Sequence, residues 1–216
     1  MSQPEKVTKA LLQTVFIVDD DASVRDGLLN LLEAVGLRAE CYSSAEEFMS
    51  RWSSERAGCL VLDVRLPGIT GVEFQEKMIA TGIQIPVIFM TGHGDIPMVR
   101  KVMKAGAVEF LTKPFQKAEL LEAIEQAFAS DQTRREQQGI QYSIRSRYET
   151  LTPRERQVMK LVVAGLLNKQ VAVELTLSEV TVKLHRRHVM EKMRAPSLAD
   201  LVRMAGALDG PTYTKA

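Results

Sequence analysis

Three aspartates, a threonine and a lysine each stand where a short apolar run stops. Val15-Phe16-Ile17-Val18 leads into Asp19-Asp20, and Cys59-Leu60-Val61-Leu62 leads into Asp63. Pro86-Val87-Ile88-Phe89-Met90 leads into Thr91, and Val108-Glu109-Phe110-Leu111-Thr112 leads into Lys113-Pro114. Carboxylates, a hydroxyl and an ammonium gathered on one rim suit a divalent cation and a phosphoryl group. Mg²⁺ takes hard oxygen ligands and is usually held by one or two carboxylates with water and phosphate, which points to Asp20 and Asp63, with Asp19 acting through a bridging water. A carboxylate can also accept a phosphoryl group as an acyl phosphate. Transfer then needs in-line positioning and neutralisation of the equatorial oxygens, by the cation, by Lys113 and by the Thr91 hydroxyl. Asp63, alone at the end of a central strand, is the favoured nucleophile. Singly, each residue is ordinary, because an Asp after a strand is commonly a turn residue. Their joint placement on successive strand ends is what carries the chemistry.

The elements that must position them alternate. Buried parallel strands read as near-continuous apolar runs. Between them, Ala22–Val35 puts Val24, Leu28, Leu31 and Leu32 on one helical face, closed by Gly36. Arg38–Tyr42 reads as a second strand, and Ser44–Trp52 as a helix with Ala45, Phe48, Met49 and Trp52 inward. Further helices are predicted up to Ala80, over Ile96–Ala105 and over Lys117–Phe128. This is the pattern of an α/β, doubly wound, five-stranded parallel sheet of the flavodoxin-like order 2-1-3-4-5, which binds ligands outside the strands' carboxyl ends. Strands 1 and 3 are neighbours in that order, so Asp19, Asp20 and Asp63 fall side by side.

Charge divides the chain. Residues 1–130 carry a net −5 and residues 151–216 a net +5, so an acidic front and a basic back suggest two tasks, the second on nucleic acid. Cys41 and Cys59 lack metal-type spacing and read as free thiols in a reducing compartment. The first 14 residues show no apolar signal segment, and no window approaches a membrane span. The expectation is a cytoplasmic protein without a membrane partner.

Three regions follow: a phosphoacceptor domain over 14–129, a linker over 130–150 that can be helical, and an all-α domain over 151–210. The linker is Gln/Arg-rich with Gly139 as a breaker, which favours a solvated connector, although Ile140, Ile144 and Tyr148 have helical spacing. The last region has four short helices. Thr152-Pro153 with Glu155 starts the first, Asn168–Leu175 is the second, Ser178 caps a third reaching Met193, and Leu198–Leu208 is the fourth. The second and third have the lengths of a helix-turn-helix. Lys183, His185, Arg186, Arg187, Lys192 and Arg194 crowd the polar surface of the third. Arg and Lys can read guanine in the major groove while other cations hold phosphates.

Ile17-Val18-Asp19-Asp20-Asp21, Leu62-Asp63 through Pro67-Gly68-Ile69-Thr70-Gly71, Met90-Thr91-Gly92 and Lys113-Pro114-Phe115 together resemble the receiver domain of two-component response regulators. The stretch from Thr91 to Met98 looks like the FixJ-type subgroup. The resemblance implies that Asp63 accepts phosphate from a sensor histidine kinase. It also implies that Asp19, Asp20, Asp63 and the Arg65 backbone carbonyl organise Mg²⁺ or another divalent cation, and that Lys113 precedes a cis Pro114. Thr91 and Phe110 fill the family's switch positions, beside a dimerisation face that includes Ile96 and Val99.

Leu151 through Val158, Gly165 through Ala172, and Val180-Thr181-Val182-Lys183-Leu184-His185 resemble the LuxR/NarL-type DNA-binding domain. That likeness puts Lys183, Leu184 and Arg187 at base-facing positions, and Thr181, Arg186, His188 and Lys169 at phosphate contacts. Thr176 departs from the pattern, standing where many relatives have Gly or Asn, and a β-branched residue disfavours positive φ.

The reading is a response regulator and not a metabolic enzyme. Phosphorylation of Asp63 controls dimerisation and binding to double-stranded promoter DNA, with RNA polymerase as a candidate further partner. The alternative is a DNA-binding regulator that works without phosphorylation. Two rivals fit less well. A Mg²⁺ phosphohydrolase using Asp19-x-Asp21 leaves Asp63 without a role, and a ligand-sensing quorum regulator lacks the acidic rim.

Overall fold

Strand residues alternate between two apolar layers, which explains why the central strands are apolar from end to end. In β1 (Thr14–Val18), Phe16 and Val18 enter one core while Val15 and Ile17 enter the other. The same alternation divides β3 (Gly58–Asp63) into Leu60 and Leu62 against Cys59 and Val61. In β4 (Val87–Thr91), Phe89 and Met90 face opposite layers. The edge strands β2 (Arg38–Tyr42) and β5 (Glu109–Thr112) are less covered. All pairings are parallel, in the order β2-β1-β3-β4-β5.

These features come from a computed structural model that describes residues 13–92, 103 and 106–208. The helix expected over 96–105, with Ile96 and Val99, and the His93-Gly94 loop lie outside the described residues apart from Met103. The chain forms two compact units, one up to Arg134 and one from Arg135.

In the first unit, α1 (Ala22–Ala34), capped by Asp21, places Leu28 and Leu32 on one face of the sheet. The start of α4 (Lys117–Glu149) joins them there through Leu120, Ala123 and Ile124. On the other face, α2 (Ala45–Arg51) and α3 (Gly71–Ala80) contribute Phe48, Phe74 and Met78. Phe48 makes edge contacts with Phe16, Tyr42 and Phe74.

The connector takes the helical form that its spacing allowed, and not the solvated one that its composition favoured. Instead of stopping near Phe128 or breaking at Gly139, α4 continues without interruption to Glu149. A mid-helix Gly costs about 1 kcal/mol relative to Ala, which the flanking Gln, Arg and Glu, all good helix formers, can absorb. Asp131 adds an anchor that composition does not reveal. It is fully buried, pairs with Arg134, and its Oδ2 accepts from the Gly58 backbone N at 3.0 Å.

The second unit is helical. Its helices are α5 (Pro153–Val163), α6 (Asn168–Leu175), α7 (Glu179–Met193) and α8 (Leu198–Leu208). Val158, Met159, Val162, Val171, Val182, Val189, Met193 and Leu201 form its core, which Ile144 and Leu151 also enter. Thr152 and Glu155 form a reciprocal capping box on α5, and Ser178 caps α7.

Candidate functional site

Parallel register sets the first site. Val18 pairs with Leu62, so Asp19 and Asp63 leave adjacent strand ends together, and Asp63 pairs with Met90 one residue before Thr91. Asp19 and Asp63 are both buried, whereas Asp20, the next residue along, is exposed. Lys113 reaches across from the end of β5. Its Nζ donates to Asp19 Oδ2 at 2.6 Å and to Asp63 Oδ1 at 3.2 Å. The remaining carboxylate oxygens take backbone donors, Asp21 N on Asp19 Oδ1 at 2.9 Å and Arg65 N on Asp63 Oδ2 at 3.0 Å.

The electrostatics follow from that geometry. Burial pushes the Asp63 carboxyl up from its usual range, and the Lys113 ammonium beside it opposes the rise without cancelling it. Burial works against the Lys113 charge as well, but the two carboxylates outweigh it and raise its pKa. Thr91 is buried at the end of β4, and its carbonyl accepts from Lys113 N at 2.7 Å, which ties the two strand ends together. The Lys113–Pro114 bond is cis. Phe110 is half-buried against the core layer that contains Phe89.

Local packing holds Asp63 in place. A Cβ on Gly71 would come within 2.5 Å of the Asp63 carbonyl oxygen and 3.2 Å of the Phe89 ring. Only glycine lets the start of α3 approach the strand end so closely. Thr70 and Glu73 form a capping box there, and Arg65 bridges Thr70 across the intervening turn.

In the second unit, α6 and α7 flank a tight turn in which Thr176 adopts φ 54° and ψ 51°. The doubtful position is therefore left-handed, with a β-branched residue in it. Lys183, Leu184 and Arg187 are exposed on α7, opposite its buried face. Lys183 pairs with Glu179 at 3.2 Å and Arg187 with Glu191 at 2.7 Å, each within the helix. Lys169 is exposed on α6. The Thr181 hydroxyl lies 2.7 Å from that of Ser178.

Comparison with known proteins decides the family. Residues 15–125 match the family described as response regulator receiver domain. The chain belongs to the response regulators. Residues 149–205 of this response regulator match the family described as bacterial regulatory proteins, luxR family. It is 52% identical over 204 residues to Nodulation protein W of Bradyrhizobium diazoefficiens, covering 94% of this chain and 88% of that one. It is 45% identical over 192 residues to the transcriptional regulatory protein FixJ of Rhizobium meliloti, covering 89% and 94%. The solved structure of response regulator StyR, 48% identical, matches with a TM-score of 0.79 over 90% of this chain and 98% of that one. A receiver followed by a LuxR-type helix-turn-helix makes the chain a two-component transcription regulator, a class that implies a kinase partner and DNA.

The residues singled out in this response regulator fall into place unequally. Asp19, Asp63 and Lys113 converge, and Thr91 ends the neighbouring strand. Asp20 and Arg65 are exposed at the rim of the same site, and among the described residues no three acidic, His or Cys side chains stand grouped as for a metal ion. Arg186, read as a phosphate contact, is half-buried and donates to Asn168 Oδ1 at 3.0 Å, so it ties α7 to α6. Sequence reasoning missed Glu155 as more than a helix start. It is buried, accepts from Lys192 Nζ at 2.6 Å, and lies 3.7 Å from His188 Nδ1. Burial pushes its pKa up, but Lys192 and the Thr152 donors overcome that and hold it below the usual carboxylate range. The Thr-x-x-Glu spacing was the available signal.

Proposed function

We propose that Asp63 is the phosphoacceptor of this regulator and that its phosphorylation controls dimerisation and DNA binding. The observation that carries the reading is the Lys113 ammonium held between Asp19 and Asp63, at 2.6 and 3.2 Å. Two buried carboxylates already share one cation there, and the exposed Asp20 adds a third carboxylate at the rim. That set suits Mg²⁺, with Asp19, Asp20, Asp63 and the Arg65 carbonyl as its holders. A bound Mg²⁺ would supply neutralisation of phosphoryl charge. A carboxylate oxygen of Asp63 attacks phosphorus, the P–N bond of a kinase phosphohistidine breaks, and the released imidazole nitrogen keeps the electron pair. Lys113 neutralises the incoming oxygens. The Thr91 hydroxyl turns toward them, and Phe110 follows inward beside it.

The second half of the reading concerns α7. Lys183, Leu184 and Arg187 face the bases, while Thr181, His188 and Lys169 meet phosphates, and two copies engage paired half-sites about one helical turn apart. Arg186 contributes by holding the helix pair together. Phosphate controls this only if it binds better to the dimer-competent state. Labelling with a radioactive phosphodonor tests the first half. Wild type takes up acid-stable, base-labile phosphate to about one equivalent per chain, and Asp63→Asn takes up none. Labelling of Asp63→Asn at wild-type stoichiometry, or wild-type labelling unchanged in excess chelator, would contradict the assignment.

A further inference from the structure

The second half of α4 carries a groove that the fold leaves open. Between Glu136 and Arg147 the helix and Met204 of α8 enclose about 520 Å³ that is largely open to solvent. Glu136, Ile140, Ser143 and Arg147 follow a 4-3-4 spacing, which keeps one face of the helix in line over three turns. Ile140 is 61% exposed there, although the next apolar residue along, Ile144, is buried in the core of the helical unit. Gly139 forms part of the groove floor. A Cβ at 139 would meet nothing within 4 Å, so no neighbour inside the chain requires glycine, which weakens a helix interior relative to alanine. What Gly139 and Ser143 offer is room, because small side chains let a second helix approach closely.

The charges at the two ends select that second helix. Glu136 stands at one end of the groove and Arg147 at the other, with an apolar residue and a small one between them. Such a face is complementary to itself turned end for end. We infer that the groove receives α4 of a second copy of this chain, antiparallel, about a two-fold axis between Gln141 and Tyr142. In that register Glu136 meets the partner's Arg147, Ile140 lies over the partner's Ser143, and Gly139 faces the partner's Ile144. Each contact occurs twice, as in any isologous pair. A parallel pair would instead set acid against acid and cation against cation, which repels. Arg147 Nη1 donates to the Met193 carbonyl at 3.3 Å, which holds the guanidinium in place while its other donors remain available to the partner's acid. Only three turns meet, and the apolar part is small, so the pair is weak, with a dissociation constant on the order of 100 µM. Phosphate on Asp63 plays no part in this pairing.

Sedimentation velocity of the full-length protein without a phosphodonor tests the pairing apart from any dimer that Asp63 phosphate produces. Wild type should pass from monomer to dimer between about 10 µM and about 1 mM. Ile140→Asp changes an exposed position, so it should keep the wild-type far-UV circular dichroism while weakening association about tenfold. Glu136→Lys should also weaken it about tenfold, by setting cations against cations at both ends. Combining Glu136→Lys with Arg147→Glu should restore association to within about threefold of wild type. Orientation is read by mixing Glu136→Cys with Arg147→Cys, oxidising, and mapping the crosslinks by peptide mass spectrometry. The mixed disulfide should dominate, since the antiparallel register separates two copies of either position by about 16 Å along the axis, beyond the reach of a disulfide. Wild type that stays monomeric throughout overturns the inference, as does Ile140→Asp that associates like wild type or a double reversal that restores nothing. Disulfides between like positions that match or outnumber the mixed one overturn it too. Wild type that dimerises only after residues 209–216 are removed would put the chain's own terminus in the groove, and is equally fatal.

Discussion

Replacing Glu155 by alanine removes two interactions at once from the helix-turn-helix unit. The carboxylate accepts from Thr152 N at 2.8 Å, completing the capping box of α5, and from Lys192 Nζ at 2.6 Å, joining α5 to α7. Losing this half of the capping box, with the Thr152 hydroxyl still accepting from the backbone N of residue 155, costs about 0.5–1 kcal/mol. A charge-assisted hydrogen bond in a buried setting adds about 1.5–3 kcal/mol, and the lower end applies because Lys192 is partly exposed and can rehydrate. The expected destabilisation is about 2–2.5 kcal/mol. With a urea m-value near 1.5 kcal/mol/M for a unit of this size, the midpoint falls by about 1.5 M. Far-UV circular dichroism follows the helices, while fluorescence of Trp52, the single tryptophan, follows the receiver core where it packs on Phe16 and Phe48. The part of the circular-dichroism change that comes from α5 to α8 should move, and the Trp52 transition should not. Glu155→Gln keeps an acceptor for Thr152 N and should lose about half as much. Because the folded pKa of Glu155 lies below its unfolded value, its stabilisation is complete above about pH 4.5 and fades as pH falls through the folded pKa. The wild-type and Gln curves should therefore converge in acid. A shift under about 0.5 M for Glu155→Ala at pH 7, or a gap to Gln that widens as pH falls, would refute the reasoning.

Three other perturbations have defined outcomes. Thr176→Gly should raise the stability of the helical unit by about 1 kcal/mol in urea titration, because glycine adopts φ 54° without the steric cost of a branched side chain; a loss would mean that the threonine has a compensating contact. Asp131→Ala leaves Gly58 N without its acceptor and should cost about 2–3 kcal/mol, read by the Trp52 transition. Arg187→Ala should weaken binding to a site selected from a random duplex pool by about 1–3 kcal/mol while barely changing binding to random DNA. An equal loss on both would make Arg187 a phosphate contact.

How much of this was legible in the sequence depended on burial. Strands covered on both faces are apolar throughout, so β1, β3 and β4 announce themselves, and their ends locate Asp19, Asp63 and Thr91. The inequality of Asp19 and Asp20 was not legible, because both follow the same strand and only the alternation of the chain sends one inward. Ile140, Ile144 and Tyr148 make residues 131–149 readable as helix, but Gly139 suggests a stop, so the uninterrupted run of α4 was not legible. Gln, Arg and Glu, which favour helix, carry most of it, while Ile144 and Asp131 supply the buried contacts. Arg186 illustrates a different limit. A helical wheel assigns it a polar face but does not reveal that Asn168 of the preceding helix lies 3.0 Å away. Glu155 looked like an ordinary first-turn acid until the packing of α7 enclosed it.

The claim that joins the two units is that phosphate on Asp63 sets the affinity for DNA. Titration of a selected duplex with phosphorylated and unphosphorylated wild type, and with Asp63→Asn carried through the same phosphodonor treatment, tests it directly. The account predicts tighter binding, by at least tenfold, and a shift from monomer to dimer only for phosphorylated wild type, with Asp63→Asn fixed at the unphosphorylated affinity. Equal affinities for all three, at full phosphate stoichiometry on the wild type, would contradict it.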